Sequence, residues 1–296
     1  MALVPRVAIR GWAPRLRRML AWGGALATLL ALAAAPPAMA EQPVDWQLGL
    51  QRSASPVRDA IDSLNNELLV IITVITLFVL ALLLYVIVRF RASRNPTPSQ
   101  TTHNTVLELL WTTVPILILV VIAIPSFKLL YYVAATRHAD LTLKVTGHQW
   151  YWSYEYPDNK DISFDSTIVD QKDLKPGQPR LLTVDNPVVV PVGEKVRILV
   201  TGTDVIHSWF VPSMGVQEYA VIGRENEAWL EAERPGTYYG QCNQICGLNH
   251  PFMPIEIKAV SKADFAKWVA NPKMRFSENG EPLAVQVAAQ STPQAQ

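Results

Sequence analysis

The only two cysteines in the chain stand in the segment Gly240-Gln241-Cys242-Asn243-Gln244-Ile245-Cys246-Gly247-Leu248-Asn249-His250-Pro251-Phe252-Met253. Two potential thiolates, an imidazole and a thioether thus fall within twelve residues. A second imidazole, His207, lies in Asp204-Val205-Ile206-His207-Ser208-Trp209. Soft sulfur combined with imidazole selects copper over hard cations, which prefer oxygen. Gly240 and Gly247 let such a loop turn tightly around a buried ion. Donors on two loops of a rigid scaffold stay still while a metal changes charge, which favours electron transfer over bond-making chemistry. Two other readings of the same residues stay open. Cys242 and Cys246 can form a disulfide in an oxidising compartment, leaving His250 and Met253 as ordinary loop and core residues. A zinc site fits less well, because methionine is a poor zinc ligand.

A cluster of this kind needs a stiff frame, and the sequence from residue 136 onward predicts one. Leu141, Leu143 and Val145 alternate with Thr142, Lys144 and Thr146, and Val196, Ile198 and Val200 repeat the pattern less cleanly. Val188, Val189 and Val190 form a β-branched run that Pro191 and Gly193 break. Ile255 and Ile257 alternate with Glu256 and Lys258, which predicts a half-buried strand. Short strands separated by turn residues predict a β-sandwich or barrel. One helix stands apart: Ser261 caps it, and Phe265, Trp268 and Val269 share a face. A domain over 136–275 is expected, followed by a flexible tail over 276–296 rich in Gln, Ala, Pro and Ser.

The remainder of the chain reads as membrane sequence. Leu68 to Val88 is 21 residues without a charge, enough at ~1.5 Å per residue to cross a hydrocarbon core of roughly 30 Å. A second uncharged run extends from Leu109 to Phe127, and its Pro115 and Pro125 are tolerated better in a membrane bundle than in a soluble helix. Arg89, Arg91 and Arg94 lie between the runs, with no acidic residue until Glu108, so the loop near 89–107 is expected on the cytoplasmic side. The predicted hairpin covers 65–135, preceded by an external segment over 41–64. Residues 1–40 have the order of a signal peptide: five arginines, an apolar run from Met19 to about Ala35, then Ala38-Met39-Ala40 as the cleavage point.

This division changes the charge. The whole chain of 296 residues carries a formal +1 and is 50% hydrophobic and 17% charged, a balance that argues against a nucleic-acid binder. Without the leader arginines it holds 21 basic and 25 acidic residues, and the part after residue 135 alone holds 15 and 19. An acidic outer domain can steer a basic partner. Glu155, Asp158, Asp161, Asp165, Asp185 and Asp204 are candidates for that field, each also explicable as ordinary solvated surface.

Together, the two spans, His148-Gln149-Trp150-Tyr151-Trp152-Ser153-Tyr154-Glu155-Tyr156, the His207 segment and the cysteine loop resemble subunit II of bacterial haem–copper cytochrome c oxidases of the binuclear copper type. The resemblance covers nearly the whole chain after the leader. It implies a two-helix transmembrane hairpin followed by an all-β cupredoxin-like sandwich. It implies two copper ions bridged by Cys242 and Cys246, with nitrogens from His207 and His250, a weak sulfur from Met253 and the backbone carbonyl of Gln244. Trp150, whose segment on its residues alone also reads as an aromatic core strand, matches the aromatic residue that the family places near the cytochrome c docking surface. It is the expected electron entry residue, with Tyr151, Trp152, Tyr154 and Tyr156 expected to pack around it. Glu108, which as a residue at a helix start can simply complement the helix dipole, matches a glutamate at the mouth of a proton path into subunit I.

The implied partners are subunits I and III, cytochrome c and membrane lipid, with a respiratory supercomplex as a further assembly open to it. The implied location is the bacterial inner membrane, multi-pass, with the large C-terminal domain in the periplasm. Oxygen reduction and proton pumping would belong mainly to subunit I. The related quinol-oxidase subunit lacks copper, and the full donor set here argues against it. The sequence departs from the family at Gln244, where glutamate is common and its side chain approaches a magnesium or manganese ion at the boundary with subunit I. A neutral amide is the weaker ligand for such a hard cation. Gln217 and Tyr219 depart from a lysine and an aspartate near the same boundary.

Overall fold

A computed structural model describes residues 42–136, 138–160 and 162–283. The expected signal peptide over 1–40, Asp161 and the last part of the expected tail lie outside the described residues. Two long helices come first. Helix α1 (Pro56–Arg89) starts at Ser55, whose side chain accepts from the Arg58 N–H at 3.0 Å, with Pro56 at the first helical position, where a missing N–H costs nothing. Helix α2 (Thr105–Val133) starts at Asn104, whose side-chain oxygen accepts from the N–H groups of Val106 and Leu107 at 3.1 and 3.2 Å. The Glu108 carboxylate reaches back to the Asn104 N–H at 3.2 Å, so the first turn is capped from both directions. The apolar lengths of both helices face outward: Phe78 is 62% exposed and Leu109 67% exposed. Apolar surface on this scale is the mark of lipid contact rather than of a soluble helix.

Helix α1 starts before the hairpin expected over 65–135. It begins nine residues earlier, within the segment expected to be external, and its 34 residues span ~51 Å, longer than a hydrocarbon core. Hydropathy marks only the lipid-facing part. The first turns instead bury Val57 and Arg58 against the β domain.

That domain is a sandwich of two five-stranded sheets. The first runs β3–β2–β1–β5–β8, built from Leu141–His148 (β1), Tyr151–Tyr156 (β2), Ile162–Ser166 (β3), Lys195–Gly202 (β5) and Asn226–Glu231 (β8). The second runs β4–β10–β9–β6–β7, built from Val188–Pro191 (β4), His207–Val211 (β6), Val216–Ala220 (β7), Gly236–Cys242 (β9) and Pro254–Val260 (β10). Strands β1 and β5 alternate buried and half-buried residues along their whole length, as their period of two requires. Leu143, Val145, Trp152, Tyr154, Ile198 and Trp209, none more than 1% exposed, meet between the sheets. Helix α3 (Lys262–Ala270), capped by Ser261, lays Phe265 and Trp268 on the sandwich, with Trp268 edge-on to Tyr156 at 5.1 Å.

Strand β10 corrects a second expectation. All seven of its residues are buried, including Glu256 and Lys258, which sequence alternation assigns to solvent. Lys258 Nζ lies 3.1 Å from Glu256 Oε1, 2.7 Å from the Thr237 hydroxyl and 3.3 Å from Glu278 Oε1. The Val184 N–H donates to the other Glu256 oxygen at 3.0 Å. The cover comes from the segment expected to begin a flexible tail. Phe276 is buried and bridges to Pro282, and the Glu278 carbonyl accepts from the Thr237 hydroxyl at 2.9 Å, so Phe276, Glu278 and the buried Gly280 cover this edge.

Candidate metal centre

The donor residues sit where two neighbouring strands end. His207 opens β6 and Cys242 closes β9, and the pairing of Trp209 with Cys242 sets these ends side by side. The chain then turns through Gln244, Cys246 and the short helical turn His250–Phe252 before Met253 leads into β10. The Cys242 N–H donates to the Met253 carbonyl at 3.4 Å and closes the loop at its base.

The loop gathers its polar atoms inward. The ligand atoms of His207, Cys242 and Cys246 all lie within 4.8 Å of one another. Cys246 Sγ is 3.9 Å from Cys242 Sγ, 3.5 Å from His250 Nδ1 and 3.5 Å from Met253 Sδ. Cys242 Sγ is 3.3 Å from the Gln244 carbonyl oxygen. Both cysteines are buried and not bonded to each other, their Sγ atoms 3.9 Å apart. The structure therefore brings together His207, Cys242, Gln244, Cys246, His250 and Met253, the six residues expected from the sequence. Their chemistry fits a soft or borderline metal ion.

Asp204 is the residue whose part in the site sequence reasoning missed. Its Oδ1 lies 2.8 Å from His207 Nε2, which places the proton on that nitrogen and leaves Nδ1 as the lone-pair donor. His207 is fully buried and its Nδ1 has no hydrogen-bond partner among the described residues, the condition of a nitrogen waiting for a cation. The other Asp204 oxygen accepts from the Gln149 N–H at 2.6 Å. An aspartate three residues before a candidate histidine ligand was the available signal, but Asp204 read only as surface charge. Gly147 makes room for the same ring: a Cβ there would lie 3.0 Å from His207 Cδ2.

The electrostatics favour one thiolate and resist two. Burial opposes ionisation of Cys242, but the His207 imidazole beside it and the backbone at Ser208 and Gln244 outweigh it and hold the thiol below its usual range. Burial and the charge of Cys242 push Cys246 up to about 12. Burial disfavours the charged form of His207, yet Cys242 and Asp204 reverse this and raise its pKa. A cation placed among these atoms would remove the repulsion between the thiolates.

Trp150 belongs to the same construction. Its indole Nε1 donates to the Cys246 carbonyl at 3.2 Å, and Gln149 Nε2 donates to the same oxygen at 2.8 Å. Gly247, at φ +119°, takes a conformation suited to glycine, and a Cβ there would press on both side chains at 3.1 Å. The aromatic neighbours do not surround Trp150 as expected. Trp152, Tyr154 and Tyr156 enter the core, Trp152 meeting the His207 ring edge-on at 5.9 Å, while Tyr151 stacks on His148 at 4.5 Å. Strand alternation sends successive residues to opposite faces. Of the acidic candidates, Asp158 accepts from the Thr142 N–H, Asp165 from the Ser153 hydroxyl and Asp185 from Thr167, so each braces a turn or strand end. Glu108 is not part of the cluster. It stands in the first turn of α2, and the β domain follows the last.

Both the helical and the β part of the chain are similar to known proteins. The family described as cytochrome C oxidase subunit II, periplasmic domain, matches residues 141–260, and the corresponding transmembrane domain matches residues 43–129. A probable cytochrome c oxidase subunit 2 of Rickettsia bellii is 50% identical over 242 residues, covering 82% of this chain and 90% of that protein. The cytochrome c oxidase subunit 2 of Oenothera berteroana is 47% identical, covering 76% of this chain and 90% of its own. Among solved structures, the periplasmic domain of subunit II of cytochrome oxidase of Bradyrhizobium japonicum is 51% identical, with a TM-score of 0.43, covering 46% of this chain and 95% of its own.

Proposed function

This chain belongs to the subunit II family of cytochrome c oxidases, and from that membership we propose that it is the subunit through which electrons enter the oxidase. It is a membrane hairpin carrying a cupredoxin-like domain of periplasmic type in a copper-binding family. In our reading it accepts electrons from cytochrome c at a centre of two copper ions and passes them to haem in subunit I. There they reduce oxygen to water, coupled to proton pumping.

The observation that carries this reading is the convergence of three sulfurs, two imidazoles and one carbonyl on a single buried point. Cys242, Cys246, His207, His250, Met253 and the Gln244 carbonyl would hold the ions. Copper held there supplies reversible one-electron transfer. The chain's own residues do the remaining work. Asp204 keeps the His207 ring in one orientation, and Trp152, edge-on to that ring, helps to keep water out. Trp150, half-buried and hydrogen-bonded to the Cys246 backbone, is in our reading the electron-accepting contact for cytochrome c. Glu108 would gather protons at the cytoplasmic end of α2. With Gln244 in place of a carboxylate, magnesium or manganese at the subunit I boundary would be held weakly.

Subunits I and III, cytochrome c, lipid and a larger respiratory assembly are the partners this role requires, in a bacterial inner membrane with the β domain in the periplasm. Mixing the purified oxidase with reduced cytochrome c under anaerobic conditions tests the reading. Loss of the near-infrared band of the centre as cytochrome c becomes oxidised supports it; a copper-loaded chain that takes up no electrons contradicts it.

A further inference from the structure

The membrane hairpin meets the β domain at two places. At the second, Trp229 donates to the Tyr132 carbonyl at 3.3 Å, with the Lys195 ammonium 4.3 Å above its ring. The first is made of polar groups in a position where burial is costly. Arg58, in the first turn of α1, is only 5% exposed, and Ser55 is fully buried. Burying a guanidinium costs less when partners offset its desolvation, and here two carbonyls and a carboxylate do so. Arg58 donates to the Pro212 carbonyl at 2.8 Å and to the Gln51 carbonyl at 3.1 Å, and its Nε pairs with Asp62 at 2.9 Å.

The arrangement grips one short turn. The Ala54 N–H donates to the Ser213 carbonyl at 2.9 Å, and the Ser55 hydroxyl donates to the Met214 carbonyl at 2.6 Å. With Arg58 on Pro212, three successive carbonyls of the turn Pro212–Met214 each receive a donor from residues 54–58. Gly215, at φ +66°, seals the contact, because a Cβ there would lie 3.0 Å from the Arg58 Cα. Glu233 and Arg234 fasten the preceding residues, bonding the Ala54 and Ser53 carbonyls at 3.1 and 2.6 Å.

The gripped turn directly follows β6, the strand that opens with His207. Five residues of strand, ~17 Å, therefore separate the start of the membrane helix from a donor of the metal cluster. An apolar side chain of similar volume would bury area here without the desolvation cost of a charge. What the guanidinium adds is direction, through a rigid fork of donors.

We propose that the Ser55–Arg58 knot is a positioning element that sets the height and tilt of the metal cluster above the membrane. Arg58 acts through the turn and β6 rather than by contact with the cluster. Its importance for electron transfer rests on the function proposed above, whereas its mechanical role does not. A displaced cluster keeps its ligands and its docking face but meets its electron acceptor at the wrong distance.

The test uses the assembled oxidase carrying spin labels on noncanonical residues at positions 99 and 163, one in the loop between the helices and one on the β domain, leaving the cysteines untouched. In Arg58→Gln the label-to-label distance distribution should broaden or shift. The near-infrared band and the KM for cytochrome c should stay unchanged while kcat falls about tenfold or more. Should that variant fail to fold, Ser55→Ala, which deletes the bond to the Met214 carbonyl and the cap on the Arg58 N–H, is read the same way. A distribution as narrow and as centred as in the parent overturns the proposal. So does a kcat loss that comes with a changed band, because the centre itself has then been damaged. A broadened distribution in an oxidase whose parent accepts no electrons keeps the mechanical joint and overturns its role in electron transfer.

Discussion

The Trp150 indole donates its N–H to the Cys246 carbonyl at 3.2 Å, so an aromatic ring at the domain surface is bonded to the backbone of a residue whose thiol lies in the metal cluster. The two are 96 residues apart in sequence. Trp150→Phe keeps an aromatic ring of reduced size and deletes the donor. Reduction by cytochrome c, followed by stopped-flow absorption, should slow by on the order of tenfold or more while the band of the centre persists. An unchanged rate would remove Trp150 from the electron path.

Glu108 should act on protons and not on the metal. Glu108→Gln preserves shape and much of the cap on Asn104 while removing the charge. Steady-state oxygen consumption should fall, by less than the hundredfold or more typical of losing a direct acid–base group, with the absorption of the centre intact. Unchanged turnover would leave Glu108 as a helix cap only.

Gly240 lies in β9 two residues before Cys242, where a Cβ would collide with the Phe210 carbonyl oxygen. Phe210 is in β6, so the clash falls between the two strands that carry His207 and Cys242. Gly240→Ala should cost about 2–4 kcal/mol and loosen the metal cluster, seen as a lowered Tm together with reduced metal content.

Glu227 gives stability a defined pH dependence. The Arg197 guanidinium at 2.8 Å, and then the Thr136 hydroxyl, hold its carboxyl below the usual carboxylate range. The unfolded chain therefore binds its proton at higher pH than the folded chain does. The stabilisation is complete above the unfolded pKa of about 4.3 and is lost as pH falls through the folded value. Tm measured by circular dichroism should drop between about pH 6 and about pH 3, and the drop should be shallower in Glu227→Gln. An identical slope would show that this carboxyl carries no linkage.

The candidate donor cluster was legible because its donors are scarce types packed into one short loop, and His207 lies within a stretch that repeats the family pattern. The two spans were legible because uncharged runs have no other use at that length. Asp204 was not, since its part depends on a strand start bringing it under His207 and Gln149, which only the fold reveals. Glu256 and Lys258 were misread for a related reason. Alternation assigns a side chain to a face of a sheet, but Phe276, Glu278, Gly280 and the Val184 segment decide whether that face is covered. The start of α1 was not legible because its first turns are fixed by contacts with Pro212–Met214 and not by hydropathy.

The most direct test of the electron-transfer account is metal and thiol analysis of the purified full chain, together with its visible and near-infrared absorption. The account predicts two copper ions per chain, no disulfide, two thiols that react only after the metal is removed, and a near-infrared band that vanishes with it. A metal-free chain in which Cys242 and Cys246 form a disulfide, or a chain holding a single zinc ion, would contradict it.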